Sequence, residues 1–363
     1  MARYRSLRDF DWPLVVIALA ICAMGILQIY SATIGTVWAE AWWRQCLFVG
    51  GGMVLLWLGA SLDYHTLINQ APVYYWASMG GLVAVLFLGK EVSGGRRWIP
   101  LAGGFHLQVS EFVKVVLILL LARYLADLKG DRLQARDLLK LGALTALPAV
   151  LVMKQPDLGT ALSYLPILAM GIFLAGLRWQ HAAAMALVGL LALPLGWHFL
   201  KDYQKARLVT FLDPSRDPRG AGYQVIQSQI AVGAGGMWGK GVTQGSQTQL
   251  RFLPVPHTDF IFSAFAEEHG FVGVVVMLGL YFLLLMQVVQ NAQMAPDRAG
   301  VYVVMGIAAL LLFHLLVNIG MVVGRMPVTG IPLPLMSYGG SSIFSWFLML
   351  GLVNNVRLRR FVN

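Results

Sequence analysis

Apolar positions in this chain do not alternate with polar ones at the period of a surface helix or a half-buried strand. They run on in blocks of about 18 to 22 residues, each long enough to cross a hydrocarbon core about 30 Å thick. The blocks and their breakers predict ten helices, at residues 13–31, 43–62, 72–89, 107–126, 138–153, 159–177, 181–200, 258–290, 300–323 and 341–356. The eighth is longer than a bilayer requires and must tilt, kink or extend past it. Between the seventh and eighth blocks lies a polar stretch, 201–257, containing DPSRDPRGAGYQ (213–224) and QSQIAVGAGGMWGKG (227–241). That is long for a mere connection, and its segment 221–234 suits an amphipathic helix on a membrane surface. The expected fold is an all-α integral membrane protein. A single transmembrane domain spans residues 1–363, as a bundle of about ten transmembrane helices with a long extracytoplasmic loop (201–257) between helices 7 and 8.

Composition agrees with that reading. At 58% hydrophobic and 12% charged residues, with a mean hydropathy of +0.69, the chain lies outside the soluble range. Arg3, Arg5 and Arg8 precede an apolar run from Pro13 that continues past Gly25 without a small-x-small cleavage site, so the first helix reads as an uncleaved signal anchor. Cys22 and Cys46 fall inside apolar blocks and offer no disulfide or metal spacing.

A net charge of +10 could suit nucleic acid, but the basic residues gather in loops between apolar blocks. Topology and anionic lipid explain them better, and no nucleic-acid partner is expected. With the N-terminus inside, the inner segments carry Arg3, Arg5, Arg8, Arg123, Lys129, Arg132, Arg136, Lys140, Arg178, Arg298, Arg357, Arg359 and Arg360. The short outer loops carry fewer: Arg44, Lys90, Arg96, Arg97, Lys154 and Arg325. Both termini are therefore expected in the cytoplasm. The unusual polar segments GGRRWIP (94–100), KQPDLGT (154–160), 201–257 and GRMPVTGIPLPLMSYGGSS (324–342) then all fall on the outer side, where function is expected.

Asp259 is the first candidate for chemistry, because a carboxylate at the edge of an apolar block needs a reason. The plain alternative is a cap, with Thr258 or Asp259 satisfying free amides at a helix start. Capping would lower the acid's pKa and desolvation would raise it. His257 is the competing base, or a hydrogen-bonding partner. Glu267 and Glu268 lie about 12 to 13 Å further along the same block and must be paired, protonated or in a wet cavity. Glu111 and Lys114, at i and i+3, read as an ion pair, and Asp157 could join Asp259 in a charged pocket around Lys114. Arg96, Arg97, Lys240 and Arg325 are outer cations beside glycines, suited with free amides to a pyrophosphate. Ser341, in SYGGSS (337–342), could add amides and hydroxyls to the same anion. His314 and Asn318 look like interhelix polar contacts. Walker, dinucleotide and zinc spacings are absent from the sequence.

At RRWI (96–99), SEFVK (110–114), QPDLGT (155–160), GAGYQVIQSQIAVGAGG (220–236), GKG (239–241), HTDFIF (257–262), EEHGFVG (267–273) and PLPLMSYGGSS (332–342) the chain closely resembles the SEDS family (shape, elongation, division and sporulation) of bacterial peptidoglycan glycosyltransferases. DPSRDPRGAGYQ and LRFLP resemble its RodA branch more than its FtsW branch. Two positions depart from the family pattern: Val255 stands where Glu is common, and Val109 where Pro is common.

The resemblance implies polymerisation of lipid II at the outer face of the bacterial cytoplasmic membrane during cell elongation. An acceptor 4-hydroxyl attacks the anomeric carbon of an undecaprenyl-pyrophosphate-linked disaccharide with inversion, and Asp259 matches the family's essential acid as general base. Glu111, Lys114, Asp157, Arg97, Lys240, His257, Thr258 and Ser341 would bind substrate. A divalent cation, Mg or Mn, is admitted at the leaving group. The implied partners are a class B penicillin-binding protein (a transpeptidase, PBP2-like) and other membrane proteins of the elongation complex. Two rival readings stand beside it. A lipid II flippase should show polar features on both sides and an internal repeat, and a non-catalytic scaffold should tolerate loss of Asp259.

Overall fold

Each predicted apolar block overlaps helix in the computed structural model, 159–177 being divided between two; the structure describes residues 9–92, 95–100, 105–128, 133–199, 202–217 and 220–360. Arg3, Arg5, Arg8, Lys129 and Arg132 of the topology argument lie outside the described residues. The elements are α1 (Trp12–Thr33), α2 (Ala41–Ser61), α3 (Tyr64–Leu88), β1 (Lys90–Val92), β2 (Gly95–Pro100), β3 (His106–Leu107), α4 (Val109–Ala126), α5 (Ala135–Lys154), α6 (Leu158–Leu162), α7 (Tyr164–Leu174), α8 (Trp179–Phe199), α9 (Asp202–Leu212), α10 (Ala221–Ala234), α11 (Ser246–Gln249), α12 (Ile261–Gln293), α13 (Arg298–Val322) and α14 (Gly340–Leu358). Among the described residues, α1, α3, α12 and α13 are long and apolar enough to cross a membrane. The molecule is a predominantly helical membrane protein.

The core gathers around α13, whose apolar window is 67% buried, against 22% for α12, which turns much of its length outward. On the other side α14 lies along α2, where Gly52 and Gly59 bring the helices close to Phe347 and Gly351. Small residues permit this approach, and dispersion between tightly fitted backbones then supplies the attraction that lipid cannot.

Three features differ from the sequence expectation. The segment 90–107 forms a small antiparallel sheet, pairing Lys90 with Trp98 and Ile99 with Leu107, in a fold expected to be all α. Its strands are too short to carry a readable period. The stretch 201–257 contains α9, α10 and α11, with α10 on the expected amphipathic segment. The block at 258–290 begins as helix only at Ile261, and it kinks at Gly270 (φ 66°, ψ −167°).

That kink is built with the loop before it. A break in a helix leaves carbonyls and amides unpaired, which a membrane protein must satisfy internally. Here the loop 236–241 does so. Lys240 N and Gly241 N donate to the carbonyls of Glu267 and Glu268 (3.0 and 2.9 Å), while Phe271 N and Val272 N donate to the carbonyls of Gly236 and Met237 (2.9 and 3.1 Å). A side chain at Gly270 would meet the backbone nitrogen of Gly239 at 2.2 Å, so glycine is required by both space and φ.

Candidate active site

The turn His257–Phe260 is held by its own carbonyls. Tyr338 N donates to His257 O (2.9 Å), Ser337 Oγ to Thr258 O (2.8 Å) and Asn318 Nδ2 to Asp259 O (3.0 Å). Asn318 Nδ2 also donates to Ile331 O at 2.8 Å, and His314 Nδ1 lies 3.2 Å from Pro332 O. These bonds fix the backbone and leave the Asp259 side chain out of the clamp.

The capping alternative does not hold. Helix α12 starts after Phe260 as N-cap, without a side-chain hydrogen bond to its first turn. Among the described residues the Asp259 carboxylate accepts no hydrogen bond. Its Oδ2 lies against Gly330, where an added Cβ would stand 3.4 Å away.

Charges on three further segments act on this acid. Arg97 on β2 donates through Nε to Gln155 O (3.1 Å) and through Nη2 to Pro156 O, tying the sheet to QPDLGT. Asp157 caps α6, accepting from Thr160 N (3.1 Å), Thr160 Oγ1 (2.9 Å) and Gln108 Nε2 (3.1 Å). Arg207 on α9 donates to Val328 O at 3.1 Å. Burial pushes the Asp259 carboxyl above the ordinary carboxylate range; the Arg207 charge opposes this, Asp157 adds to it and Arg97 opposes it. Burial also depresses His257 to about 4, so its ring is neutral at physiological pH. Burial thus shifts the two groups in opposite directions, making Asp259 a better proton acceptor and His257 a poorer one than each is in water.

The other expected binding residues are engaged within the protein. Lys114 Nζ bonds Glu111 Oε1 at 2.8 Å in the core, and Ser345 Oγ donates to Glu111 Oε2 at 3.2 Å. No hydrogen bond joins Lys114 to Asp157 or Asp259. Lys240 Nζ bonds Glu267 Oε1 (2.9 Å) and Ser246 Oγ (2.7 Å). Glu267, fully buried, also accepts from Gln247 N, Thr248 N and Thr248 Oγ1, and Glu268 accepts from Ser31 Oγ and Gln28 Nε2. This pair therefore anchors the loop 240–248 to α12 and α1. Ser341 Oγ accepts from Gln108 N (2.9 Å) and donates to His106 O (3.1 Å), holding β3 and the start of α4.

Sequence reasoning missed Arg207 and Ser337. Arg207 is one of several cations in a long polar stretch, and only the formation of α9 distinguishes it. Ser337 lies in a segment singled out for anion binding, yet its hydroxyl bonds the acid's own turn.

Beside this turn, Trp38, Glu40, Arg44 and Tyr338 line a cavity of about 380 Å3. The Trp38 and Tyr338 rings lie 5.4 and 5.9 Å from that of His257.

The family described as cell cycle protein (FtsW, RodA and SpoVE) matches residues 12–360. The chain is 37% identical to peptidoglycan glycosyltransferase MrdB of Escherichia coli (strain K12), over 96% of this chain and 94% of that protein. It is 34% identical to peptidoglycan glycosyltransferase RodA of Treponema pallidum (strain Nichols), over 99% and 100% respectively. Among solved structures, a chain of a peptidoglycan synthase complex that coordinates polymerization and crosslinking superposes with a TM-score of 0.84, at 38% identity, over 98% of this chain and 99% of that one.

Proposed function

The chain belongs to the FtsW, RodA and SpoVE family of cell cycle proteins, and from that premise we propose that it is a peptidoglycan glycosyltransferase that polymerises lipid II during cell elongation. The observation that carries the catalytic reading is the Asp259 carboxylate: clamped through its backbone, unbonded at its side chain among the described residues, and raised in pKa.

In this reading Asp259 takes the proton from the acceptor's 4-hydroxyl, at a distance of about 3 Å or through one water. The freed oxygen attacks the anomeric carbon of the donor, the bond from that carbon to the pyrophosphate oxygen breaks, and the configuration inverts. Arg97 and Arg207 stabilise charge developing on the departing undecaprenyl pyrophosphate. Asp157 holds the QPDLGT turn that carries the Arg97 contacts, and the neutral His257 ring lies against Trp38 and Tyr338.

Among the described residues no group of three or more His, Cys, Asp or Glu side chains is spaced for a metal ion. A divalent cation, Mg or Mn, would therefore have to be held by the substrate's own phosphates, leaving Asp259 free as the base. Such a cation would neutralise charge on the leaving group. The ten helical runs are read as membrane spans, with both termini cytoplasmic and the Asp259 side extracytoplasmic. The likeness to a complex coordinating polymerization and crosslinking supports a class B penicillin-binding protein, a transpeptidase, as partner, within an assembly of other elongation membrane proteins.

The test uses the purified full chain with that partner and lipid II. Glycan strands should form with release of undecaprenyl pyrophosphate. Passage of lipid II across liposome membranes with no strand formed would contradict the proposal in favour of a flippase.

A further inference from the structure

The cavity beside the catalytic turn has features that a pyrophosphate or an acyl chain would not call for. Its walls are the rings of Trp38 and Tyr338, whose centroids lie 6.2 Å apart and tilted at 63°. Trp38 keeps 47% of its surface exposed, so its indole presents a free face. At the rim Arg44 and Glu40 stand 3.8 Å apart, their side chains 49% and 83% exposed.

The charges of that pair cancel, so the cavity offers an anion no net attraction. Its volume is of the order of small-molecule sites, about 300–1,000 Å3. A sugar ring fits this chemistry: one face is a sheet of C–H bonds suited to an aromatic plate, and its edge carries hydroxyls that a guanidinium and a carboxylate can bind. The wall is also continuous with the machinery, since Tyr338 N donates to His257 O at 2.9 Å, two residues before Asp259.

We propose that this cavity is a carbohydrate subsite for the acceptor glycan, with Trp38 as the stacking plate and Arg44 and Glu40 as hydroxyl-binding groups. The inference rests on the polymerase reading and divides its two substrates. The donor's pyrophosphate stands on the Arg97 and Arg207 side of Asp259, and the acceptor's neutral sugars stand on the Trp38 and Tyr338 side. The acceptor hydroxyl then approaches Asp259 from the flank that carries no net charge.

The decisive test separates binding from turnover. The Asp259→Asn chain, in complex with its transpeptidase partner, is titrated with a soluble tetrasaccharide of two peptidoglycan disaccharide units, free of lipid and phosphate. Binding by calorimetry is expected, weakened at least tenfold when Trp38→Ala is added and largely kept with Trp38→Phe. In the catalytically intact background, Trp38→Ala should shorten the glycan strands and raise the concentration of added acceptor needed for half-maximal rate, with Trp38→Phe restoring both. Equal affinity with and without Trp38, or no tetrasaccharide binding, overturns the subsite. So does an outcome in which both Trp38 variants lower thermal stability while binding is unchanged, since Trp38 would then be an interfacial anchor. If the unmodified chain makes no glycan, the polymerase reading fails on that ground, and the tetrasaccharide titration still decides the cavity.

Discussion

Asn318 donates one side-chain N–H group to the carbonyl oxygen of Asp259 at 3.0 Å and also reaches Ile331 O at 2.8 Å, joining the acid's turn to the strap beneath it. Asn318→Leu removes both bonds and leaves two carbonyls without that donor, at about 1–3 kcal/mol of stability. Because a displacement of about 1 Å at a reacting group can cost around 100-fold in rate, strand synthesis should fall further than stability alone explains. Thermal melting and polymerisation measured on the same sample separate the two effects.

The pH dependence follows from the direction of the Asp259 shift. Its folded pKa lies above the ordinary carboxylate value because burial outweighs Arg207 and Arg97. The rate should therefore rise with pH through an apparent pKa above the usual range, and Arg207→Gln should move that limb higher still. For stability the protonated form is the one the fold prefers. Asp259 thus contributes stability below its unfolded pKa, and that contribution disappears as pH rises through the folded pKa. Asp259→Asn should consequently melt no lower than the parent at neutral pH, with its advantage shrinking toward acid. A clear loss of melting temperature at neutral pH would contradict this electrostatic picture.

The helical membrane class was legible because hydropathy encodes it directly, and Asp259 stood out as a carboxylate at the edge of an apolar block. The sheet at 90–107 and helix α9 were not, since short polar segments carry too few residues for a period to emerge. Cation partners were legible only when close in sequence. Lys114 lies one turn from Glu111, whereas Lys240 closes on Glu267, 27 residues later, through a loop that sequence alone does not fold. Asn318 was visible as a polar residue in an apolar helix, but its role required knowing that the strap 328–332 returns beside Asp259.

Glu267 should prove structural. Its carboxylate takes Lys240 Nζ, Gln247 N and both donors of Thr248 while itself fully buried. Glu267→Ala leaves those donors and the lysine without their acceptor, and the expected loss is about 3–5 kcal/mol. Lys240→Ala should cost less, because the remaining amides still hold the acid. Denaturation in matched detergent, with binding to the transpeptidase partner as a second readout, checks the order of the two effects.

Gly330 offers a narrower probe of the acid's surroundings. Its φ of +73° disfavours any side chain, and an added Cβ would stand 3.4 Å from Asp259 Oδ2. Gly330→Ala should cost about 1–2 kcal/mol in backbone strain. The rate should also drop at saturating lipid II, because relief of that strain shifts the strap against which the carboxylate rests. An unchanged rate at every lipid II concentration would show that Asp259 has room to move away from this strap.

The central claim is that Asp259 acts as the base while the fold tolerates its loss of charge. Its most direct test is strand synthesis from lipid II by the purified complex, comparing the parent chain with Asp259→Asn at equal folding and equal partner binding. The expected result is long glycan from the parent and none from the variant, with the variant melting no lower than the parent. Strands of similar length from both would contradict the assignment and make Asp259 a structural residue.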